Sequence, residues 1–199
     1  PRCLDMLVKI PEQPLKIPAP YKNCNALTQF LQKALDYEDK ILPEWRQTHY
    51  AYLTHHQKLI QPDTTHRNSG WHFDGMQGSR YCEKINACHQ YVCTDMLPTE
   101  FSNQPTDATN LHETKQNWFV ELGNQIDPQY PLWSPKPYDI VLMSAYQLHK
   151  SPQAISPTYR TFIRLDISLK QQDRLGNSLN PDCPAPWPFV PRNPPDFAS

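Results

Sequence analysis

The chain has 199 residues, of which 38% are hydrophobic and 20% are charged, and its formal net charge is -1. This length is enough for one domain with a sizeable core. The near-neutral balance lacks the basic surplus of a typical nucleic-acid-binding domain, and apolar runs such as residues 140–143 are far too short to span a bilayer.

The first 45 residues are expected to form an N-terminal arm and a helix. Residues 1–22 contain five prolines and are predicted to be irregular. A helix is predicted over residues 26–37, with Asn25 as its N-cap, and Pro43 prevents its continuation. Its apolar side chains recur at helical spacing: Leu27, Phe30, Leu31 and Leu35.

Residues 46–170 are expected to form the β-rich core. Strands are predicted at residues 49–54, 87–95, 118–121, 139–144 and 159–168. The run at 139–144 is the most apolar and is expected to be buried, whereas residues 99–116 are polar, without clear periodicity, and are predicted to form a loop at the mouth of the site. Several short strands after one helix favour a β-sandwich or a jelly roll.

The last predicted strand alternates in character. Arg160, Phe162, Arg164 and Asp166 fall on one face, and Tyr159, Ile163, Leu165 and Ile167 fall on the other. One face is therefore expected to meet an apolar core, while the other carries charge.

Residues 171–199 form a proline-rich tail. Seven prolines lie between Pro181 and Pro195, which excludes a helix or a central strand. We expect this segment to pack on the core as an extended support, so that the whole chain of residues 1–199 makes a single domain.

Cysteine usage indicates a reducing compartment. The six cysteines are Cys3, Cys24, Cys82, Cys88, Cys93 and Cys183. Their spacings match no zinc-finger pattern, and we expect free thiols and a cytoplasmic location. Because the sequence opens at Pro1, a leader peptide that has been removed stays an open alternative.

The chemistry is concentrated around residues 71–75, which read Trp-His-Phe-Asp-Gly. Three of the five glycines flank this segment: Gly70, Gly75 and Gly78. On a strand, residues i and i+2 point to the same side, so His72 and Asp74 can reach one ion while Phe73 turns into the core. His149 follows the apolar strand after a short turn and is suited to supply a third ligand.

Two imidazoles and one carboxylate on one face of a metal form the ligand set of non-haem Fe(II) oxygenases. The alternative for this set is a hydrogen-bonded pair of His72 and Asp74 with an unrelated surface His149. Arg160 and Arg164 follow on the next strand, and a buried guanidinium requires an anion. That anion is either the carboxylate of an acidic ligand, clamped by two hydrogen bonds, or a protein carboxylate such as Asp166.

With these residues, segment 48–169 resembles the Fe(II)/2-oxoglutarate-dependent oxygenase superfamily, and it is similar to its small single-domain bacterial or phage members. The matching residues are His72-Phe73-Asp74, then Pro137-Tyr138-Asp139-Ile140-Val141-Leu142 leading to His149, then Arg160. The resemblance implies a double-stranded β-helix, which is a jelly-roll, cupin-like barrel. It implies that His72, Asp74 and His149 bind Fe(II), that Arg160 binds the distal carboxylate of 2-oxoglutarate, and that Arg164 is a second contact to co-substrate or substrate. A Gly common in the family before the last core strand is replaced here by Pro137-Tyr138.

The implied activity is that of a dioxygenase that uses Fe(II), 2-oxoglutarate and O₂, can be stimulated by ascorbate, and hydroxylates a substrate with release of succinate and CO₂. A small polar metabolite or amino acid is the expected substrate, ahead of a protein side chain and then a nucleobase, and no membrane partner is expected. A zinc hydrolase with the same three ligands is an alternative. A hydrolase would need a general base near the metal, typically Glu, but no Glu lies beside His72 or His149 in the sequence. This alternative also gives Arg160 no role. A non-catalytic jelly-roll binding module is the other alternative.

Overall fold

The described part of the chain folds mainly into antiparallel β-strands. The computed structural model describes residues 2–67, 69–74, 89–109, 111 and 117–191. In these ranges the strands are β1 (Cys3–Lys9), β2 (Tyr50–Ile60), β3 (His89–Thr94), β4 (Glu100–Ser102), β5 (Leu132–Trp133), β6 (Val141–Ser144), β7 (Leu148–Lys150) and β8 (Thr158–Ser168). The helices are α1 (Ala19–Lys22), α2 (Asn25–Ile41), α3 (Trp45–Thr48) and α4 (Trp118–Asn124). The prediction of a mostly β fold is confirmed.

The strands form two antiparallel sheets. The larger sheet has the order β1-β2-β8-β3-β6, and the smaller sheet has the order β5-β4-β7. The long central strands β2 and β8 pair along their whole length. Phe162 of the larger sheet and Phe101 of the smaller sheet belong to one buried cluster, so the inner faces of the two sheets meet.

The alternation predicted for β8 is confirmed. Ile163, Leu165 and Ile167 pack into the core between the larger sheet and α2. Phe162, Arg160, Arg164 and Asp166 are also buried, although they belong to the opposite, charged face. The central strand is therefore covered on both sides, and its charged face needs polar partners in the interior.

The predicted N-terminal helix is present and longer than expected. It begins at Asn25, which is its first residue rather than its cap, and Cys24 occupies the cap position. Leu27, Phe30 and Leu31 face the sheet, as their spacing predicted. Helix α2 thus covers the outer face of the larger sheet.

The prediction of an irregular arm over residues 1–22 is wrong for its first part, because β1 (Cys3–Lys9) pairs with β2 along the sheet edge. After the first residue, the prolines of this segment begin only at Pro11, so the preceding residues keep their ladder hydrogen bonds. The predicted strand 49–54 is also longer, since β2 continues to Ile60.

Three further predictions need correction. The strand predicted at 118–121 is helix α4, because Trp118 and Leu122, four residues apart, are buried on one helical face. The strand predicted at 139–144 begins at Val141 and lies at the sheet edge, with Leu142 37% exposed, so it is not fully buried. The predicted loop over 99–116 contains strand β4.

Residues 171–191 lie across the inner face of β1 and β2, where Cys183 packs with Leu7 and Tyr52. The Asn180 side-chain amide donates to the carbonyls of Leu7 and Lys16, each at 2.9 Å. The described cysteines are free thiols, and Cys82 and Cys88 lie outside the described residues. Among the helices described, none combines the length and apolar character needed to cross a membrane.

Candidate metal centre

His72 and His149 are brought together by a backbone bridge at the edge of the smaller sheet. The His72 N–H donates to the His149 carbonyl at 3.0 Å, and the His149 N–H donates to the His72 carbonyl at 3.1 Å. Residues directly opposite in an antiparallel pair have their side chains on the same face. Accordingly, the two imidazole rings lie with centroids 4.4 Å apart.

Each imidazole is held in one tautomer by a backbone carbonyl. His72 Nδ1 lies 2.9 Å from the Gly70 carbonyl oxygen, and His149 Nδ1 lies 2.8 Å from that of Gln147. Because a carbonyl only accepts, each Nδ1 carries the proton and each Nε2 keeps a free lone pair. Burial, reinforced by His149, lowers the pKa of His72 to about 4, so this ring is neutral at pH 7, as a metal ligand must be.

Asp74 completes a three-ligand cluster. Its Oδ1 lies 4.0 Å from His72 Nε2 and 3.9 Å from His149 Nε2. The three ligand atoms all fall within 4.8 Å of one another. Metal–ligand bonds of about 2.1 Å need ligand atoms roughly 3 to 4 Å apart, so a modest contraction would close the cluster on an ion.

The two oxygens of the Asp74 carboxylate have different surroundings. Oδ2 accepts hydrogen bonds from Arg164 Nη1 at 2.5 Å and from Gln90 Nε2 at 3.0 Å, whereas Oδ1 faces the two histidines. Burial alone would raise the pKa of Asp74, but the positive charge of Arg164 holds it well below its usual range. The carboxylate is therefore ionised and presents Oδ1 to the space between the imidazoles.

Arg164 is engaged by three protein carboxylates. Its Nη2 lies 2.7 Å from Asp5 Oδ1, its Nη1 lies 2.5 Å from Asp74 Oδ2, and its Nε lies 3.1 Å from Asp166 Oδ2. This arrangement favours the alternative in which Arg164 pairs with protein carboxylates, Asp166 among them, over direct contact with a ligand.

Acidic and basic side chains are concentrated at this centre. Among the described residues, the carboxylates of Asp5, Asp74 and Asp166 surround the guanidinium of Arg164, and Arg67 adds a second positive charge nearby. Burial raises the pKa of Asp166 to about 7, with Arg164 opposing and the other two carboxylates reinforcing the rise. A divalent cation beside Asp74 would relieve this repulsion.

No protein-family model matches this chain, and no curated protein is significantly similar to it.

Arg160 is a buried cation held by neutral groups. It is 2% exposed, and its Nε donates to the carbonyls of Met96 at 3.1 Å and Leu97 at 2.8 Å. Nη2 makes a long contact of 3.4 Å to Thr99 Oγ1. Within the described ranges Arg160 makes no ion pair with a carboxylate. Burial lowers its pKa to about 10, although Asp95 acts in the opposite direction.

An aromatic wall covers one side of the cluster. Trp71, Phe73 and Trp118 are buried together, which confirms that Phe73 turns into the core. The Phe119 ring lies 5.3 Å from the His72 ring. Gly70 has a φ of +96°, in the left-handed region, and thereby directs its carbonyl at His72. The other two glycines of the predicted cluster, Gly75 and Gly78, lie outside the described residues.

Sequence reasoning missed several residues that shape the site. Asp5 comes from the N-terminal segment, and Gln90 lies directly opposite Asp166 on β3. The pairing register of β3 against β8 places Gln90 at the site. The sequence of either strand alone does not reveal that register. His66 is 2% exposed, its ring lies 6.4 Å from that of Phe162, and its Nε2 is 3.0 Å from His56 Nδ1.

Proposed function

We propose that this protein is a non-haem Fe(II)- and 2-oxoglutarate-dependent dioxygenase. The observation that carries the proposal is the convergence of two Nε2 lone pairs and one carboxylate oxygen from His72, His149 and Asp74. These are the ligands that a facial iron site uses, with the remaining positions open to other ligands. The grouping of three carboxylates around Arg164 further supports a divalent cation.

The proposal includes the fold. A double-stranded β-helix consists of two facing antiparallel sheets with a ligand site between them. The five-stranded and three-stranded sheets, and the bridge that adds His72 beside β7, support this architecture. Helix α2 on the outer face of the larger sheet leaves the inner face to the site.

The protein's own groups would fix the iron ligands. His72 and His149 are oriented by the carbonyls of Gly70 and Gln147, and Asp74 is oriented through its second oxygen. Outer hydrogen bonds of this kind hold ligand geometry and raise ligand basicity. The aromatic wall would exclude water from the His72 side.

Arg160 would bind the distal carboxylate of 2-oxoglutarate. It lies on the same face of β8 as Arg164, four residues away, or roughly 13 Å along the strand. A buried guanidinium whose described hydrogen-bond partners are neutral is suited to receive a carboxylate in a charge-assisted pair. With iron and 2-oxoglutarate bound, O₂ would be the oxidant: one of its oxygen atoms would end in succinate, with release of CO₂, and the other in the hydroxylated product. We infer that the substrate is a small polar metabolite or amino acid.

The test is Fe(II) binding and 2-oxoglutarate turnover by the intact protein and its Asp74→Ala variant. The wild type should bind one Fe(II), develop a visible absorption band with 2-oxoglutarate under anaerobic conditions, and release succinate in air. Asp74→Ala removes the only charged ligand and should abolish iron binding. Asp39→Asn is the matched control, since Asp39 pairs with Arg46 on the surface.

Stoichiometric iron in the Asp74→Ala protein would sink the proposal. So would zinc-dependent hydrolysis by a wild-type protein that neither binds nor consumes 2-oxoglutarate, which would favour a hydrolase with the same ligands. A screen of metabolites and peptides for succinate release above the uncoupled background would then identify the substrate class.

A further inference from the structure

His56 and His66 form a hydrogen-bonded pair of imidazoles on the inner side of the larger sheet. His66 Nε2 lies 3.0 Å from His56 Nδ1, and the two ring centroids are 4.6 Å apart. His66 is buried, whereas His56 on β2 is half-buried. Neither ring belongs to the proposed set of metal ligands.

The other nitrogen of the His66 ring is buried without a partner. Its Nδ1 makes no hydrogen bond in the described part of the chain. Burial of an unpaired polar atom costs free energy, so such atoms are rare in folded proteins. Because the two nitrogens lie on different edges of the imidazole, Nδ1 points away from His56 and is left for a ligand.

Phe162 lies between His66 and Arg160. The centroid of its ring is 6.4 Å from that of His66 and 5.5 Å from the guanidinium carbon of Arg160. Arg160 and Phe162 are two residues apart on β8, so their side chains leave the same face of the sheet. His56 is directly opposite Phe162 in the pairing of β2 with β8 and therefore shares that face.

The charges that act most strongly on His66 are positive. Burial, reinforced by Arg160 and then by His56 and Lys58, lowers the pKa of His66 to about 3. Burial and the charge of Arg2 likewise lower the pKa of His56 to about 4. Both rings are therefore neutral at pH 7, and an anion beside His66 Nδ1 would lie in the favourable field of Arg160.

A neutral pair of histidines has two arrangements of its shared hydrogen bond. When His66 Nε2 donates to His56 Nδ1, the Nδ1 of His66 carries a lone pair; when His56 Nδ1 donates, the Nδ1 of His66 carries the proton. A carboxylate only accepts hydrogen bonds, so only the second arrangement can serve it. Since His56 is half-buried, its outer nitrogen can exchange a proton with solvent, and the pair can adopt this arrangement without a net change of charge.

The segment before His66 is fixed to the rest of the domain by backbone contacts. Thr65 pairs with Gln153 in a β-bridge. The Ala154 N–H donates to the Thr64 carbonyl at 3.0 Å, and the Asp63 N–H donates to the Ala154 carbonyl at 2.9 Å. The His66 ring is thus held beside Phe162 without help from a ligand.

We propose that His66 is a second carboxylate-binding residue beside Arg160, with its Nδ1–H donating to the distal carboxylate of 2-oxoglutarate and with His56 as the positioning residue that sets its tautomer. This inference rests on the proposed function, because it takes 2-oxoglutarate as the co-substrate that Arg160 binds. Selection of a dicarboxylate over a monocarboxylate would then depend on one cationic and one neutral donor.

The test compares two substitutions that each keep a different half of the imidazole. Gln places its amide near the position of Nε2 and keeps a partner for His56, whereas Asn places its amide near that of Nδ1. His66→Gln should weaken 2-oxoglutarate binding to the Fe(II)-loaded protein roughly 10-fold or more, the effect of losing a hydrogen bond to a charged group. His66→Asn should stay within a few-fold of the wild type. Anaerobic titration of the visible absorption band measures both affinities.

A second ligand, 2-oxobutyrate, separates direct contact from a structural role. It keeps the 2-oxo acid group for iron but lacks the distal carboxylate, so its affinity should be the same in the wild type and in His66→Gln. An equal loss of affinity for both ligands would overturn the proposal. His49→Gln removes another buried imidazole, whose Nδ1 lies 2.7 Å from Thr48 Oγ1, and should leave both affinities unchanged.

A further measurement uses the wild type alone. In the protein loaded with Zn(II), which is diamagnetic, the nitrogen NMR shifts of the His66 ring report which nitrogen carries the proton. With 2-oxoglutarate bound, Nδ1 should be protonated. An unprotonated Nδ1 in this complex would overturn the proposal even if His66→Gln failed to fold.

The possible failures are distinct. A wild-type protein that binds no 2-oxoglutarate in the presence of Fe(II) would overturn the proposed function together with this inference. Normal binding by the wild type, with an unchanged dissociation constant in His66→Gln, would overturn the role of His66 alone.

Discussion

Replacing Arg160 with Met separates a ligand-binding arginine from a structural one. Met fills a similar volume but carries no charge, so the buried cation is removed while the packing on Phe162 is largely kept. The two roles make opposite predictions for stability and for 2-oxoglutarate affinity.

The structure sets the size of the stability effect. The shift of the Arg160 pKa from 12.5 to about 10 corresponds to roughly 3 kcal/mol of unfavourable environment for the charge, at about 1.4 kcal/mol per unit. Replacing Arg160 with Met removes the charge and therefore this unfavourable contribution. Loss of the hydrogen bonds to the carbonyls of Met96 and Leu97 opposes it, at about 0.5 to 1.5 kcal/mol each, since both residues are partly exposed. The free energy of unfolding without ligand should therefore stay the same or rise by up to about 2 kcal/mol.

The affinity effect should be large. A charge-assisted contact to a carboxylate contributes about 1.5 to 3 kcal/mol, so Arg160→Met should weaken 2-oxoglutarate binding roughly 10- to 100-fold while iron still binds. Arg160→Lys should recover only part of this affinity, because an ammonium lacks the planar fork. Anaerobic titration of the visible band of the iron complex measures the affinity, and urea unfolding measures the stability.

The control is Arg46→Met, which removes a surface arginine paired with Asp39 and should alter neither 2-oxoglutarate affinity nor iron binding. If Arg160→Met lowers the free energy of unfolding by about 3 to 5 kcal/mol and leaves 2-oxoglutarate affinity unchanged, Arg160 is a structural residue and does not bind 2-oxoglutarate.

Two other substitutions test the surroundings of the site. Burial lowers the pKa of His66 to about 3, so only the unfolded chain takes up a proton as pH falls below the ordinary value, and stability is lost from about pH 6.5 downwards. His66→Gln should reduce the loss between pH 6.5 and pH 5 by about 1 to 2 kcal/mol in urea unfolding, and an unaltered pH dependence would contradict the burial argument. Gly70→Ala places a Cβ at a φ of +96° and 3.6 Å from Phe119 Cβ; it should lower the free energy of unfolding by about 1 kcal/mol or more and weaken Co(II) binding through His72. A fully stable Gly70→Ala protein with normal Co(II) affinity would show that the left-handed turn does not orient His72.

The sequence predicted the parts of the site that depend on local spacing. His72 and Asp74 are two residues apart, and His149 follows an apolar strand, so their proximity was expected and is what the structure has. The alternation of β8 likewise placed Arg160 and Arg164 on one face. Side-chain direction along a strand follows from a period of two and needs no tertiary information.

The residues opposite those faces could not be predicted. Periodicity places Arg164 on the same face as Arg160, but whether it meets a ligand or a carboxylate depends on β1. In β1 a β-bulge brings Asp5 to Arg164, and the sequence does not reveal that bulge. Helix α4 was not predicted, because a short run of aromatic and β-branched residues favours a strand. In the structure this segment is a helix that buries Trp118 and Leu122 on one side.

The pairing of β1 with β2, and of β2 with β8, determines when the centre can form. Asp5 and Arg164 are separated by 159 positions, and strands so distant along the chain pair slowly because a large loop must close first. On the ribosome, β1 is made before β8 and must wait, without its final partners, until β8 has been synthesised. The contacts of Arg164 with Asp5 and Asp74 therefore cannot form before β8 has joined the sheet. A metal ion that bound the proposed ligands would accordingly enter after β1, β2 and β8 have paired.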